Sequence, residues 1–420
     1  KGATVITTLR PTASSCVRQL RFDKVFEILG FTSEEIEDYV TRFTKEDQNP
    51  ETEKKAIWQH ISTNISLFAL CYVPVNCFII CSCLSRLRSL GISLPTKLTK
   101  IYSVALKIFY FRHSDKYRMK EEARDQLFLK PFHKLPTECE EEFQRLEKIA
   151  FIGIKEGRLL FTSEEVKGLE DCGLLHRLPD LPSQEGLDED KAQYCFIHLT
   201  FQEFLAARHV VGTMTEAQAL EQFITDHINE GSWQLVVQFV AGLLVDTDEV
   251  KQLQFSEILM KLLPMSTSEV GGQLGREDAE CMMTEKPTAL IRWPHGKSET
   301  NLAVTICKCL YELDIKQESS ITSKMEEISF DEVWFSDCKL APADCTAILH
   351  LLKNRDEKFK LFLRSNFMGD LGCMEIKKWI VKSNCVELDL TRNNMGEKGV
   401  EYLCDTLKLE NCNLTVLVLD

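Results

Sequence analysis

Phe196-Ile197-His198-Leu199-Thr200-Phe201-Gln202-Glu203-Phe204-Leu205-Ala206-Ala207 is the stretch that decides how the rest of the chain is read. Tyr194 to Ile197 is aromatic and β-branched after the charged segment Asp188–Lys191, the pattern of a short buried strand. Thr200 followed by Glu203 has the spacing of a capping box, and Leu199 with Phe204 that of a hydrophobic staple. His198 is thereby expected just before a helix N-terminus, where free amides and the helix dipole favour an anion. Two readings of His198 follow from the local sequence: a phosphate contact, or a histidine packed at a strand–helix junction.

The chain has 420 residues, enough for several domains, and at 44% hydrophobic and 27% charged it has the composition of a soluble globular protein. Lys+Arg 50 against Asp+Glu 64 leaves a net charge of −14, which disfavours nucleic acid or an anionic membrane surface as a partner. The 17 cysteines are scattered through long apolar helical patterns, and none form a C-x-x-C pair. They read as reduced, buried thiols in a reducing compartment, so no zinc site and no disulfide frame is expected. No signal peptide is seen, and Lys1 without Met and a strand-like ending at Asp420 suggest a fragment. Ile61 to Ser85 is free of charge and long enough to span a membrane, but Pro74 and Asn76 at its centre favour two buried helices broken at the proline.

From the N-terminus, Gly2 to Pro11 reads as a buried strand ending in Arg10. Ligands of parallel α/β sheets sit at that end of a strand, so Arg10 either faces a bound phosphate or reaches solvent. Phe22 to Leu29 offers a second strand, and Thr32-Ser33-Glu34-Glu35 opens a helical region that runs to about Phe111. Residues 143–175 read as helix, turn at Glu156-Gly157, strand at Leu159–Phe161 and a further helix from Ser163. Together with the His198 strand this order suits a winged helix. Residues 211–325 are helical again, with Ser266 to Thr300 read mostly as a long loop or insertion.

The C-terminal part repeats. Leu361-Phe362-Leu363-Arg364-Ser365-Asn366 aligns with Leu388-Asp389-Leu390-Thr391-Arg392-Asn393, a step of roughly 27 residues, and Val333 and Leu417 hold the same phase. Strand, turn at Asn or Cys, then helix at this period is a leucine-rich repeat, with Asn366, Asn393 and Cys338 in the position whose side chain serves neighbouring backbone.

These pieces, in this order, resemble the NOD-like receptors, signalling ATPases with a NACHT module and leucine-rich repeats. Thr7-Thr8-Leu9-Arg10-Pro11 is similar to the family's sensor-1 strand end, with Leu9 as a departure. Leu70-Cys71-Tyr72-Val73-Pro74-Val75 is similar to its adenine-facing proline segment, and Phe196–Ala207 to its winged-helix signature. The resemblance implies a multidomain, mainly α chain in five parts. They are the C-terminal end of a P-loop-type α/β NACHT core (1–30), helical domain 1 (31–112), a winged helix (113–210), helical domain 2 (211–325) and a truncated α/β leucine-rich-repeat solenoid (326–420). It also implies ADP or ATP as cofactor, with Pro74 against adenine, His198 at the β-phosphate and Arg10 sensing the terminal phosphate. No P-loop G-x-x-x-x-G-K-[ST] occurs in these residues, and no strand ends in paired acids that would hold Mg²⁺. No catalytic or metal-ligating residue is therefore assigned, and the chain alone is not expected to hydrolyse ATP.

The function so implied is a cytosolic innate-immune receptor that switches between ADP and ATP states and oligomerises on activation. Its repeats would restrain it or read a microbial or danger ligand, and an adaptor would be engaged through an N-terminal domain outside these residues. The alternative is a nucleotide-independent repeat scaffold or decoy. A Ser or Cys hydrolase has no supporting motif, since neither a G-x-S-x-G elbow nor a catalytic Cys pattern is present.

Overall fold

The computed structural model describes residues 23–24, 26, 30–47, 49–92, 95–113, 126–128, 130–178, 192–247, 249–263, 292–294, 297–313, 331–353, 355 and 357–419. The proposed strands at Gly2–Pro11 and Phe22–Leu29 lie outside these residues, apart from Asp23, Lys24 and Phe26, and so does Arg10.

The first group of helices is α1 (Ser33–Phe43), α2 (Pro50–Thr63), α3 (Ile65–Cys71), α4 (Pro74–Ser89) and α5 (Leu98–His113). Thr32 and Glu35 close the capping box that opens α1, with Thr32 N–H donating to Glu35 Oε2 at 2.7 Å and Glu35 N–H to Thr32 Oγ1 at 3.3 Å. The charge-free run divides where its sequence predicts. Asn64 caps α3 by accepting from Leu67 N–H, and Pro74 takes the first turn of α4, where a missing N–H and a fixed φ cost nothing. Both segments pack into the core, and among the described residues no helix is long and apolar enough to cross a membrane. Gly30 (φ +99°) brings the chain against this break. Its neighbour Phe31 donates to the Tyr72 carbonyl at 2.7 Å, and a Cβ on Gly30 would lie 2.1 Å from that oxygen.

Next come α6 (Thr137–Glu156), a three-stranded antiparallel sheet of order β1-β3-β2 (β1 Phe161–Thr162, β2 Leu175–Arg177, β3 Gln193–Phe196) and α7 (Leu199–Thr213). The helix expected from Ser163 is instead a run of turns: the Thr162 N–H donates to the Glu165 carboxylate at 2.8 Å as at a helix start, but Gly168 at φ +77° stops the run. Helices α6 and α7 pack face to face around the buried Arg208–Glu147 pair (2.7 Å), with the guanidinium 3.4 Å from the centre of the Phe132 ring. A second helical group, α8 (Ala217–His227), α9 (Gln234–Leu244) and α10 (Glu249–Leu262), follows.

The remainder alternates strand and helix: β4 (Arg292–Trp293), α11 (Lys297–Leu313), β5 (Glu332–Trp334), α12 (Pro342–Leu351), β6 (Phe359–Phe362), α13 (Gly369–Ile380), β7 (Cys385–Asp389), α14 (Glu397–Leu407) and β8 (Val416–Val418). All five strands run parallel in chain order, and Val333, Leu361, Leu388 and Leu417 stand in register across them. The sheet thus begins at Arg292, within the stretch read from sequence as mostly loop and ahead of position 326. Asn366 Oδ1 accepts from Cys338 and Leu340 N–H at 3.1 and 3.0 Å, while its Nδ2 donates to the Phe335 and Leu363 carbonyls, both at 2.8 Å. Asn393 repeats the bond one unit on, to Leu363 and Leu390. Buried amides thus supply the partners that irregular backbone needs between the strands and the next helices.

Candidate functional site

The site is built on the first residues of two helices. At the start of α7 the residue that caps is His198 and not Thr200. His198 is extended (φ −154°, ψ 145°), and its Nδ1 accepts from the Thr200 N–H at 3.2 Å. The Thr200 hydroxyl lies 2.7 Å from the same nitrogen. This corrects the expected Thr200–Glu203 capping box. The imidazole accepts from the amide two residues on, so the helix starts at Leu199, ahead of the expected cap. The backbone N–H donating to Nδ1 also fixes the tautomer, placing the ring proton on Nε2.

The second helix is α4. Pro74 is exposed in its first turn, no side chain caps it, and neither α4 nor α7 has an acidic residue in its first turn. Both ends therefore keep the partial positive charge of unpaired amides. Tyr102 of α5 stands between them: its hydroxyl donates to Asn76 Oδ1 on α4 at 2.6 Å. Tyr102 is fully buried, its ring against Phe201, Phe204 and Phe239, and burial pushes its hydroxyl pKa up. Rings of Phe78, Phe109 and Phe201 form a second, apolar path from α4 to α7, and Val73, Phe78 and Ile197 leave apolar surface exposed.

Of the three residues proposed from sequence, Pro74 begins α4 and His198 caps α7. Arg10 lies outside the described residues. Sequence reading missed Tyr102, which bonds Asn76 of α4 and packs against Phe201 of α7. The Tyr at four residues after Leu98 is the only local signal, and its partners come from other helices. The geometry suits an anion with an apolar companion: an imidazole Nε2–H, two helix starts with no acidic residue in the first turn, an exposed proline and aliphatic or aromatic side chains. Among the described residues no group of three His, Cys, Asp or Glu is placed to hold a metal.

A contrasting helix start lies at α5. Leu98 and Thr99 N–H both donate to the Glu312 carboxylate of α11, each at 3.2 Å. Lys97 Nζ donates to the Tyr311 carbonyl at 2.6 Å and stands 3.2 Å from the centre of the Tyr311 ring. Gly242 of α9 allows this approach, since a Cβ there would lie 2.1 Å from Thr99 Oγ1. Burial of Glu312 raises its pKa, with the bonds from Thr99 and Leu98 acting against that shift.

No family model matches the chain. Curated proteins match over nearly all of it. The human NACHT, LRR and PYD domains-containing protein 12 is 24% identical across 98% of this chain and 38% of its own length. The human NACHT, LRR and PYD domains-containing protein 3 is 22% identical across 98% and 41% respectively. Mouse protein NLRC3 is 27% identical over 48% of this chain. The chain spans about two fifths of the length of the relatives it matches end to end. Matches of this extent, covering both helical groups, the His198 unit and the strand–helix array together, support membership of the NOD-like receptor family.

Proposed function

We propose that the protein carrying this chain is an innate-immune receptor of the cytosol gated by ADP and ATP. In this reading residues 31–112 are helical domain 1, 113–210 a winged helix, 211–325 helical domain 2 and 326–420 leucine-rich repeats. His198 Nε2–H donates to a phosphate of bound ADP, Pro74 packs against its adenine, and Arg10 senses the terminal phosphate. ADP supplies a shared anion that ties the His198 unit to the first helical group. Exchange for ATP weakens the tie, frees the His198 unit and exposes surface for self-oligomerisation and for an adaptor, a shift between two populated states.

The observation that supports the reading is Tyr102, bonded to Asn76 of α4 and packed edge-on against Phe201 of α7, which ties together the two helices on whose starts such a ligand would rest. Limited trypsin digestion of the full-length protein tests it. ADP is expected to slow cleavage between residues 113 and 198. Digestion that ignores ADP overturns the switch and leaves the scaffold reading.

A further inference from the structure

His198 stands at the bend between β3 and α7, and one point on α6 touches both arms of that bend. Gly153 lies inside α6, where glycine is disfavoured, so its presence calls for a packing reason. A Cβ there would lie 2.5 Å from Gln202 Nε2 on α7 and 2.7 Å from Phe161 Cζ on β1. Phe161 in turn meets Phe196, the last residue of β3, edge to face with 5.6 Å between ring centres. The strand arm before His198 and the helix arm after it are thus seated against the same bare stretch of α6.

Gln202 is four residues past His198 and 1% exposed. Its Nε2 donates to the Arg158 carbonyl at 3.1 Å. That carbonyl belongs to a turn held from several sides. Gly157 takes the left-handed conformation (φ +66°) that ends α6, and the Arg158 N–H donates to the Gly153 carbonyl at 2.8 Å. The Arg158 guanidinium engages Glu156 at 2.6 Å and Glu165 at 2.9 Å. A buried amide that must find its partner admits one arrangement, and here the partner is already fixed. The bond therefore sets the height and rotation of the first turn of α7, and with them the direction in which the imidazole Nε2 faces.

We propose that Gln202 is the positioning residue of the His198 site, aiming the imidazole at its anion through the Arg158 carbonyl and the seat that Gly153 leaves open. The inference rests on the reading of His198 as a phosphate contact. Without the bond the first turn of α7 is free to shift, and a hydrogen bond from Nε2 to a phosphate oxygen lengthens and weakens.

The test measures ADP affinity by calorimetry in the full-length protein, for Gln202→Met and Gly153→Ala, each alone and combined with His198→Leu. Gln202→Met keeps the length of the side chain and removes the donor. Gly153→Ala keeps Gln202 and pushes its amide off the Arg158 carbonyl from the α6 side. Each is expected to weaken ADP about 3–10-fold where His198 is present and to have no further effect where it is absent. Each should also move the imidazole nitrogen resonances of His198 in the nucleotide-free protein. Should one variant fail to fold, the other decides. Weakening by the same factor with and without His198 would make Gln202 a structural residue and overturns the inference. ADP binding that drops with His198→Leu but is unchanged in both Gln202→Met and Gly153→Ala overturns this inference alone. ADP binding that ignores His198→Leu overturns the ligand reading and this inference with it.

Discussion

The starts of α5 and α7 present the same electrostatics and use them in opposite ways. At α5 two amides are sealed by the buried Glu312 carboxylate, delivered from more than two hundred residues away. At α7 the cap is the uncharged His198, half-buried, accepting with one nitrogen and holding a proton on the other. A carboxylate consumes the positive end of a helix, and the end becomes a joint. A neutral imidazole satisfies the backbone while leaving the dipole in force, and the end stays receptive to an anion. What separates structure from site is the charge of the cap.

The largest effect should come from unsealing the joint. Glu312→Ala strands two buried amides and opens space against α9, so a loss on the order of 2–4 kcal/mol in unfolding stability is expected by denaturant titration. Glu312→Gln keeps one acceptor and should cost about half as much. The same pair gives a pH signature. Burial holds the folded pKa of Glu312 above its ordinary value of 4.5, so the folded state binds the proton more tightly than the unfolded state does. The stability this group contributes is then present below pH 4.5 and is lost as pH rises through the window just above it. Glu312→Gln should remove that slope from the pH–stability profile. A slope equal in both proteins would show that burial does not raise the Glu312 pKa in the folded state.

A smaller effect is expected from Tyr102→Phe. It keeps the ring among Phe201, Phe204 and Phe239 and removes only the hydroxyl that holds Asn76 of α4. A cost of about 1 kcal/mol in stability should accompany faster trypsin cleavage between residues 113 and 198 in the presence of ADP. Unchanged protection would mean that this bond does not help couple α4 to α7.

The difference between the two helix starts also explains what the sequence revealed. Local devices were legible. The Thr32–Glu35 box, the break at Pro74 and the phase of Val333, Leu361 and Leu388 rest on residues close together in the chain or on a fixed period. The amide network of Asn366 and Asn393 follows from that same period. The cap of α7 was misread because Thr200 and Glu203 have the right spacing, while the imidazole two residues before Thr200 accepts from the Thr200 amide and starts the helix earlier. Strand β4 was hidden by its polar, glycine- and proline-rich approach, since two paired residues give no period to detect. The Glu312 joint and the Asn76–Tyr102 bond were out of reach for another reason. Their partners are distant in sequence, and no local pattern encodes a contact that only packing creates.

The most direct test of the account is the ADP affinity of the full-length protein with His198→Leu. A lost hydrogen bond to a charged phosphate is worth roughly 1.5–3 kcal/mol, so ADP should bind about 10–100-fold more weakly, and basal signalling should rise. Nucleotide-free stability should fall by only about 1 kcal/mol, the ordinary cost of losing a helix cap. ADP affinity and basal activity both equal to wild type would contradict the claim that this helix start is a ligand site, and would make His198 a cap and nothing more.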